Sequence, residues 1–202
     1  MNNINYKLYL VTDRKIIGER DFVWAIEQAI LGGATLVQLR EKDLSTLQFY
    51  NVAKDVKELT SKYNIPLIIN DRLDIALAVD ADGLHIGQDD MPLEIARKLL
   101  GEGKIIGLST STIEEAKLAQ EQGADYIGVG AVFPTTTKND ADAVSLEQLK
   151  EIKETVKIPV VAIGGINEEN YKLPMNCGID GVAVISAILG KSNIKAAAEK
   201  FV

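Results

Sequence analysis

Cysteine is nearly absent. The single Cys177 excludes an internal disulfide and fits a reducing compartment. Histidine is equally scarce: His85 is alone and lies inside an apolar run, so it reads as a hydrogen-bonded core residue before it reads as a catalyst. No apolar run approaches the length that spans a bilayer, and Met1-Asn-Asn-Ile-Asn5 has neither a basic start nor an apolar stretch, so no signal peptide is expected. A cytoplasmic setting is the expectation. Positive charge is in deficit, with a net charge of −7, which argues against nucleic acid or an anionic membrane as partner. Only 5 prolines interrupt the chain and no low-complexity stretch divides it, so one domain over residues 1–202 is expected.

What the chain does have is alternation. Eight short, branched apolar runs read as strands: Lys7–Asp13, Leu36–Glu41, Pro66–Asp71, Gly83–Gln88, Ile105–Ser109, Tyr126–Phe133, Val160–Gly165 and Gly181–Ser186. Their near-continuous apolar character is that of parallel strands buried on both faces. Between them lie stretches of helical period, such as Phe22, Ile26 and Ile30, or Tyr50, Ala53, Val56 and Leu59. Phe22 and Trp24 are expected to pack against the sheet. Ser45…Gln48, Thr112…Glu115 and Ser145…Gln148 have the spacing of capping boxes. A weak repeat precedes the even strands: Gly33-Ala-Thr-Leu36, Ala81-Asp-Gly-Leu84, Gly123-Ala-Asp-Tyr126 and Gly178-Ile-Asp-Gly181.

Strict strand–helix alternation means a parallel sheet, open or closed. The first strand ends in Thr12-Asp13-Arg14-Lys15, without the glycines of a dinucleotide-binding turn. Eight units of similar size predict an α/β fold of the (β/α)8 TIM-barrel class.

In such a barrel the active site gathers at the C-terminal ends of the strands. Strand three ends in Asn70-Asp71-Arg72 and strand four in Gln88-Asp89-Asp90, so Asp71 and a carboxylate from the neighbouring end should converge. Two facing carboxylates want a cation or a shared proton, and Mg²⁺ commonly takes one or two of them plus water and substrate phosphate. The alternative is that these acids only cap helices. Strand two ends in Gln38-Leu-Arg40-Glu-Lys42. Alternation puts Gln38, Arg40 and Lys42 on one face, a set suited to a polyanion. Ser109, the hydroxyl run Thr135-Thr-Thr137-Lys138, and Gly164-Gly165 with Ile185-Ser186 complete the ring; the last group suits a phosphate. Cys177 reads as inert packing.

Taken together, Leu8-Tyr-Leu-Val-Thr-Asp13, Gln38-Leu-Arg-Glu-Lys42, Asn70-Asp-Arg72, His85-Ile-Gly-Gln-Asp-Asp90, Pro134-Thr-Thr-Thr-Lys138 and Ala162-Ile-Gly-Gly-Ile166 resemble the thiamine-phosphate synthase family, nearly end to end and in order. The resemblance implies a (β/α)8 transferase that joins hydroxymethylpyrimidine diphosphate to a (carboxy)thiazole ethyl phosphate, releasing pyrophosphate. It implies Mg²⁺ on Asp71 and Asp90. It gives Gln38, Arg40, Lys42, Asn70, Ser109 and Lys138 to the diphosphate substrate, and Thr135, Thr137, Gly165, Ile185 and Ser186 to the thiazole phosphate. Arg40, Lys42 and Lys138 would be catalytic, easing the departure of pyrophosphate. The implied partners are small phosphorylated molecules, and the oligomeric state stays open. Three readings stand beside this one. Another phosphate-binding barrel enzyme, such as a sugar-phosphate epimerase, would share Gly164-Gly165 and Ser186 without the set Arg40, Lys42 and Lys138. The related thiazole tautomerases share the barrel but tend to carry a histidine where Ser111 stands; a non-catalytic thiamine-phosphate binder would keep the pockets without turnover.

Overall fold

The computed structural model describes residues 4–135 and 143–202. Eight parallel strands close into a barrel in sequence order, β1 beside β8. They are β1 (Leu8–Val11), β2 (Leu36–Leu39), β3 (Leu67–Asn70), β4 (Gly83–Ile86), β5 (Ile105–Thr110), β6 (Tyr126–Val129), β7 (Val160–Ile163) and β8 (Gly181–Val184). Each falls within its predicted run, except that β5 extends one residue further. Most predicted runs overshoot at the C-terminal end. The reason is chemical: Arg40, Asp71, Gly87 and Gly130 follow the last ladder residues and form the mouth of the barrel rather than its wall.

Outside the ring, α2 (Phe22–Leu31) and α3 (Thr46–Lys62) bury the stripes their periodicity announces: Phe22, Ile26 and Ile30 on one, Ala53, Val56 and Leu59 on the other. Trp24 departs from expectation. It sits about 200° around the helix from Phe22 and is exposed, while Ala25 and Ala29 take the inner face. The remaining cover comprises α4 (Leu73–Ala78), α5 (Leu93–Leu100), α6 (Ile113–Glu121), α7 (Leu146–Thr155), α8 (Lys172–Met175) and α10 (Ile194–Glu199). Single turns α1 (Arg14–Ile17) and α9 (Ser186–Leu189) follow β1 and β8. Among the described residues, no helix is long and apolar enough to cross a membrane.

Two of the capping boxes close fully, at Ser45–Gln48 and Thr112–Glu115. At the third, Ser145 caps the Gln148 amide, but the Gln148 side chain donates to the Ser111 carbonyl at 2.9 Å instead. Cys177 follows α8, half-buried, its thiol near the Leu146 and Leu173 carbonyls. Burial pushes the thiol pKa up, which disfavours the reactive thiolate.

The repeat before the even strands has two parts. Gly33, Gly123 and Gly178 end helices at positive φ (110°, 87° and 82°), and Asp80 does so at 50°. The polar residue that follows then fastens the neighbouring odd strand. The Thr35 hydroxyl accepts from Leu8 N at 3.1 Å, Asp82 from Leu67 N at 2.8 Å, Asp125 from Ile106 N and Asp180 from Val160 N, both at 2.7 Å. Each aspartate also holds a cation from the helix before that strand: Lys57 on α3, Arg97 on α5 and Lys153 on α7. These clips sit at the N-terminal ends of the strands, away from the mouth. Inside the ring, Tyr6, Tyr9, Leu36, Ile68, Tyr126 and Val161 fill a separate small core beneath the mouth.

Candidate active site

A cavity of about 350 Å³ opens at the C-terminal ends of the strands. On one arc, β2 delivers Gln38, Arg40 and Lys42 to it, and β3 and β4 deliver Asn70, Asp71 and Asp90. The alternation expected in Gln38–Lys42 holds. Leu39 packs in the outer core, and Glu41 turns away to take a two-pronged bond from Arg14. Ser109 stands on β5, and Thr135, Gly165, Ile185 and Ser186 line the opposite arc. Thr137 and Lys138 lie outside the described residues.

Asp71 and Asp90 do converge. Burial pushes the Asp90 carboxyl above its ordinary range; the Gly87 amide opposes that, the facing Asp71 carboxyl adds to it, and Lys42 opposes it. The Gly87 amide donates to Asp90 at 2.7 Å, and Lys42 Nζ lies 2.5 Å from Asp71 Oδ2. Neither acid is spent on a helix start. The residues at the caps of α4 and α5 are Arg72 and Pro92, with no side-chain cap bond at either. Asp71 also holds a left-handed φ of 61°, uncommon for a residue with a side chain. The pair therefore fits a hard divalent cation: two oxygen donors, like charges facing one another, and open space beside them. No group of three or more histidine, cysteine, aspartate or glutamate side chains suited to a metal occurs among the described residues. An ion held here would complete its shell with water and ligand oxygens, as Mg²⁺ does.

Arg40 approaches Asp13 Oδ2 at 3.6 Å, and Asp13 in turn caps α1 through the Lys15 and Ile16 amides. A guanidinium so placed is steered from behind, and Arg40 lines the cavity. On the far arc, Gly164 and Gly165 take φ of 103° and 63°. A Cβ at Gly165 would meet the Pro134 carbonyl oxygen at 2.5 Å, so this glycine lets the loops after β6 and β7 touch. Asn170 pins the same turn, donating to the Gly165 carbonyl at 3.0 Å and accepting from Asn167 N at 2.8 Å. A recess that shares Thr135, Gly165 and Ser186 with the main cavity extends to Lys191, a cation the sequence did not single out.

The floor was also missed. A serine–histidine pair was not anticipated, yet His85 Nε2 and Ser109 Oγ lie 2.9 Å apart. The other ring nitrogen meets the Tyr126 phenol at 2.9 Å, where a nucleophilic triad would place a carboxylate. His85 is buried and hydrogen-bonded, as its position inside a strand suggested, but it is part of the cavity lining too. The only available signal was alternation: Tyr9 and His85 occupy inward positions on their strands, and no local pattern says what an inward residue meets.

Comparison with known proteins bears on this ring of residues. The family profile described as thiamine monophosphate synthase matches residues 8–188, from the first strand into the turn after the last. The chain belongs to this family. It is 63 % identical over 198 residues to the thiamine-phosphate synthase of Alkaliphilus oremlandii, covering 98 % of this chain and 95 % of that one. It is 61 % identical, with the same coverage, to the thiamine-phosphate synthase of Clostridium tetani. A solved thiamine phosphate pyrophosphorylase from Pyrococcus furiosus superposes with a TM-score of 0.91 at 44 % identity, covering 98 % of this chain and 94 % of that one. An N-acetylmannosamine-6-phosphate 2-epimerase from Clostridium perfringens reaches a TM-score of 0.69 at 20 % identity over 92 % of this chain and 89 % of its own, which shows the barrel alone. As a thiamine monophosphate synthase family member, the chain is an enzyme of the transferase class, and the fold expected from alternation is the fold found.

Proposed function

We propose that the protein joins hydroxymethylpyrimidine diphosphate to a thiazole ethyl phosphate, carboxylated or not, and releases thiamine phosphate and pyrophosphate. The observation that carries this reading is the set of opposite charges on one arc of the mouth. Arg40 and Lys42 stand beside the facing pair Asp71 and Asp90, with Gln38 and Asn70 beneath. A diphosphate, together with a Mg²⁺ ion that Asp71 and Asp90 would hold, would satisfy these charges. Bound by Asp71 and Asp90, the ion would supply positive charge on the diphosphate oxygens.

The residues of the chain account for the rest. Arg40 and Lys42 neutralise charge as the methylene–oxygen bond breaks, which is stabilisation of the leaving group. Lys138 has the same role by resemblance. Electron release from the aminopyrimidine supports a dissociative path, and the thiazole nitrogen then attacks the methylene carbon. Thr135, Thr137, the Gly165 turn, Ile185 and Ser186 hold the thiazole phosphate so that this nitrogen is aligned. No protein nucleophile is required, in keeping with the neutral Tyr126 behind His85.

A tautomerase is disfavoured by Ser111. Its amide and hydroxyl both donate to Glu115, at 2.6 and 3.1 Å, so it is engaged in starting α6. The deciding experiment supplies both substrates with and without Mg²⁺ while pyrophosphate release is followed. We expect release that needs both organic substrates and the metal. Thiazole isomerisation without pyrophosphate, or ligand binding without turnover, would refute the reading.

A further inference from the structure

Five side chains from five strands form one unbroken chain of hydrogen bonds across the cavity floor. Gln38 Nε2 donates to Tyr9 Oη at 2.9 Å, and Tyr9 Oη and Tyr126 Oη lie 2.7 Å apart. Tyr126 Oη and His85 Nδ1 are 2.9 Å apart, and His85 Nε2 and Ser109 Oγ are 2.9 Å apart. Each phenol has one proton to give, so the direction at one end sets the direction everywhere. An amide NH₂ can only donate. Tyr9 therefore accepts from Gln38 and spends its own proton on Tyr126. Tyr126 then spends its proton on His85 Nδ1, which obliges the neutral ring to carry hydrogen on Nε2. That hydrogen points at Ser109, whose oxygen accepts it. The serine proton is thereby left over, on a residue that lines the cavity.

The rings are held for this arrangement. Tyr126 packs against Tyr6 and Tyr9 at centroid distances of 5.0 and 5.9 Å. A Cβ at Gly107 would overlap the Tyr126 ring, and one at Gly128 would press on His85 Cε1 at 3.2 Å. Two glycines thus make room for the two rings. Burial raises the pKa of Tyr9 and Tyr126 alike, so both phenols stay protonated and the chain transmits direction, not charge.

We propose that Tyr9, Tyr126 and His85 are positioning residues that fix the Nε2–H tautomer of His85 and so dedicate the Ser109 hydroxyl as a hydrogen-bond donor to an acceptor atom of the bound pyrimidine substrate. The tautomer follows from this hydrogen-bond chain alone; its consequence for the pyrimidine rests on the function proposed above. A site wired in this sense favours a ligand offering a lone pair at Ser109 over one offering a proton, because the latter would leave two donors facing each other.

The single histidine makes the test direct. Nitrogen-15 histidine labelling of the full chain at mildly alkaline pH reports which ring nitrogen carries the proton, without substrate and without any assignment step. We expect a proton on Nε2 and a bare Nδ1; a proton on Nδ1 overturns the proposal. Tyr126→Phe and Tyr9→Phe keep the rings and remove one link each. In both, the tautomer ratio should become mixed, and kcat/KM for the pyrimidine diphosphate should fall roughly five- to tenfold. Affinity for the thiazole phosphate should stay unchanged in titration. A response at His85 to Tyr9→Phe, two links away, is not something a purely packing role would produce. Folded variants with wild-type tautomer and wild-type kcat/KM would refute the relay. If either variant fails to fold, the wild-type spectrum still decides the direction. Wild-type protein with the expected tautomer but no pyrophosphate release would sink the functional reading and leave the relay standing.

Discussion

At the scale of single residues, the acids at the mouth are distinguished by what they do not do. Asp71 and Asp90 neither cap the helices that follow nor pair with an arginine. Replacing either by asparagine keeps the shape and removes one unit of the charge that would hold Mg²⁺. Turnover of Asp71→Asn and Asp90→Asn should fall on the order of a hundredfold at low Mg²⁺ and recover in part at high Mg²⁺. Full activity at low Mg²⁺ would remove the altered residue from the site. Glu168, beside the recess, is a second case. Its own backbone amide, helped by Lys200 and Lys191, holds its carboxyl pKa at about 2, from an ordinary 4.5. Above 4.5 the carboxylate is ionised folded or unfolded, and its contribution to stability is complete. As pH falls from 4.5 towards 2 the unfolded chain takes up the proton first, so that contribution is lost. Denaturant melts should therefore show wild type more stable than Glu168→Gln at neutral pH, with the gap closing near pH 3. A gap that does not change with pH would show that the ionisation contributes nothing.

At the scale of the element, each odd strand from β3 onward is clipped at its start by the aspartate that precedes the next strand. Asp180 serves Val160 N and Lys153 together, joining β7, β8 and α7. Its removal strands a buried amide and releases the ammonium. Asp180→Ala should cost about 1–3 kcal/mol of stability in urea unfolding, with kcat and both KM values unchanged. Altered kinetics at saturating substrate would mean that the lower end of the barrel communicates with the mouth. Arg20 has a similar structural task at the other end. Its guanidinium donates to the carbonyls of Ile16 and Ile17 in α1 and of Leu189 and Lys191 at the end of α9. It ties together the two single turns that follow β1 and β8.

At the scale of the whole molecule, closure of the ring sets two polar arcs of the mouth across from one another. Strands β2–β4 carry Arg40, Lys42, Asp71 and Asp90, and β7–β8 carry the Gly165 turn and Ser186. Sites separated in this way should be separable by mutation. Ser186→Ala should raise the KM for the thiazole phosphate about five- to tenfold while direct titration of the pyrimidine diphosphate is unaffected. Equal loss of both ligands in folded protein would contradict two distinct sites. Gly165→Val is the poorer probe, although it looks apt from the sequence. Its new side chain would drive into the Pro134 carbonyl and Phe133, disturbing the loop after β6 and both ligands with it.

Much of this protein was legible in its sequence because the relevant physics is local. Strands buried on both faces must be apolar throughout, helices must show a stripe, and polar residues must wait for the strand ends. Those rules place β1–β8, two of the three capping boxes, and the residues of the mouth from Gln38 to Ser186. Tertiary structure alone decided the rest, because it depends on what the far side of the ring supplies. The sequence could not tell whether Asp71 and Asp90 capped the helices that follow; the caps at Arg72 and Pro92 show that they do not. Trp24 looked like packing until the smaller Ala25 and Ala29 were seen to occupy the contact. Above all, the line from Gln38 through Tyr9, Tyr126 and His85 to Ser109 joins residues as far as 117 positions apart. Inward-facing residues on different strands meet only when a barrel closes, and closure is a property of the whole ring, not of any stretch within it.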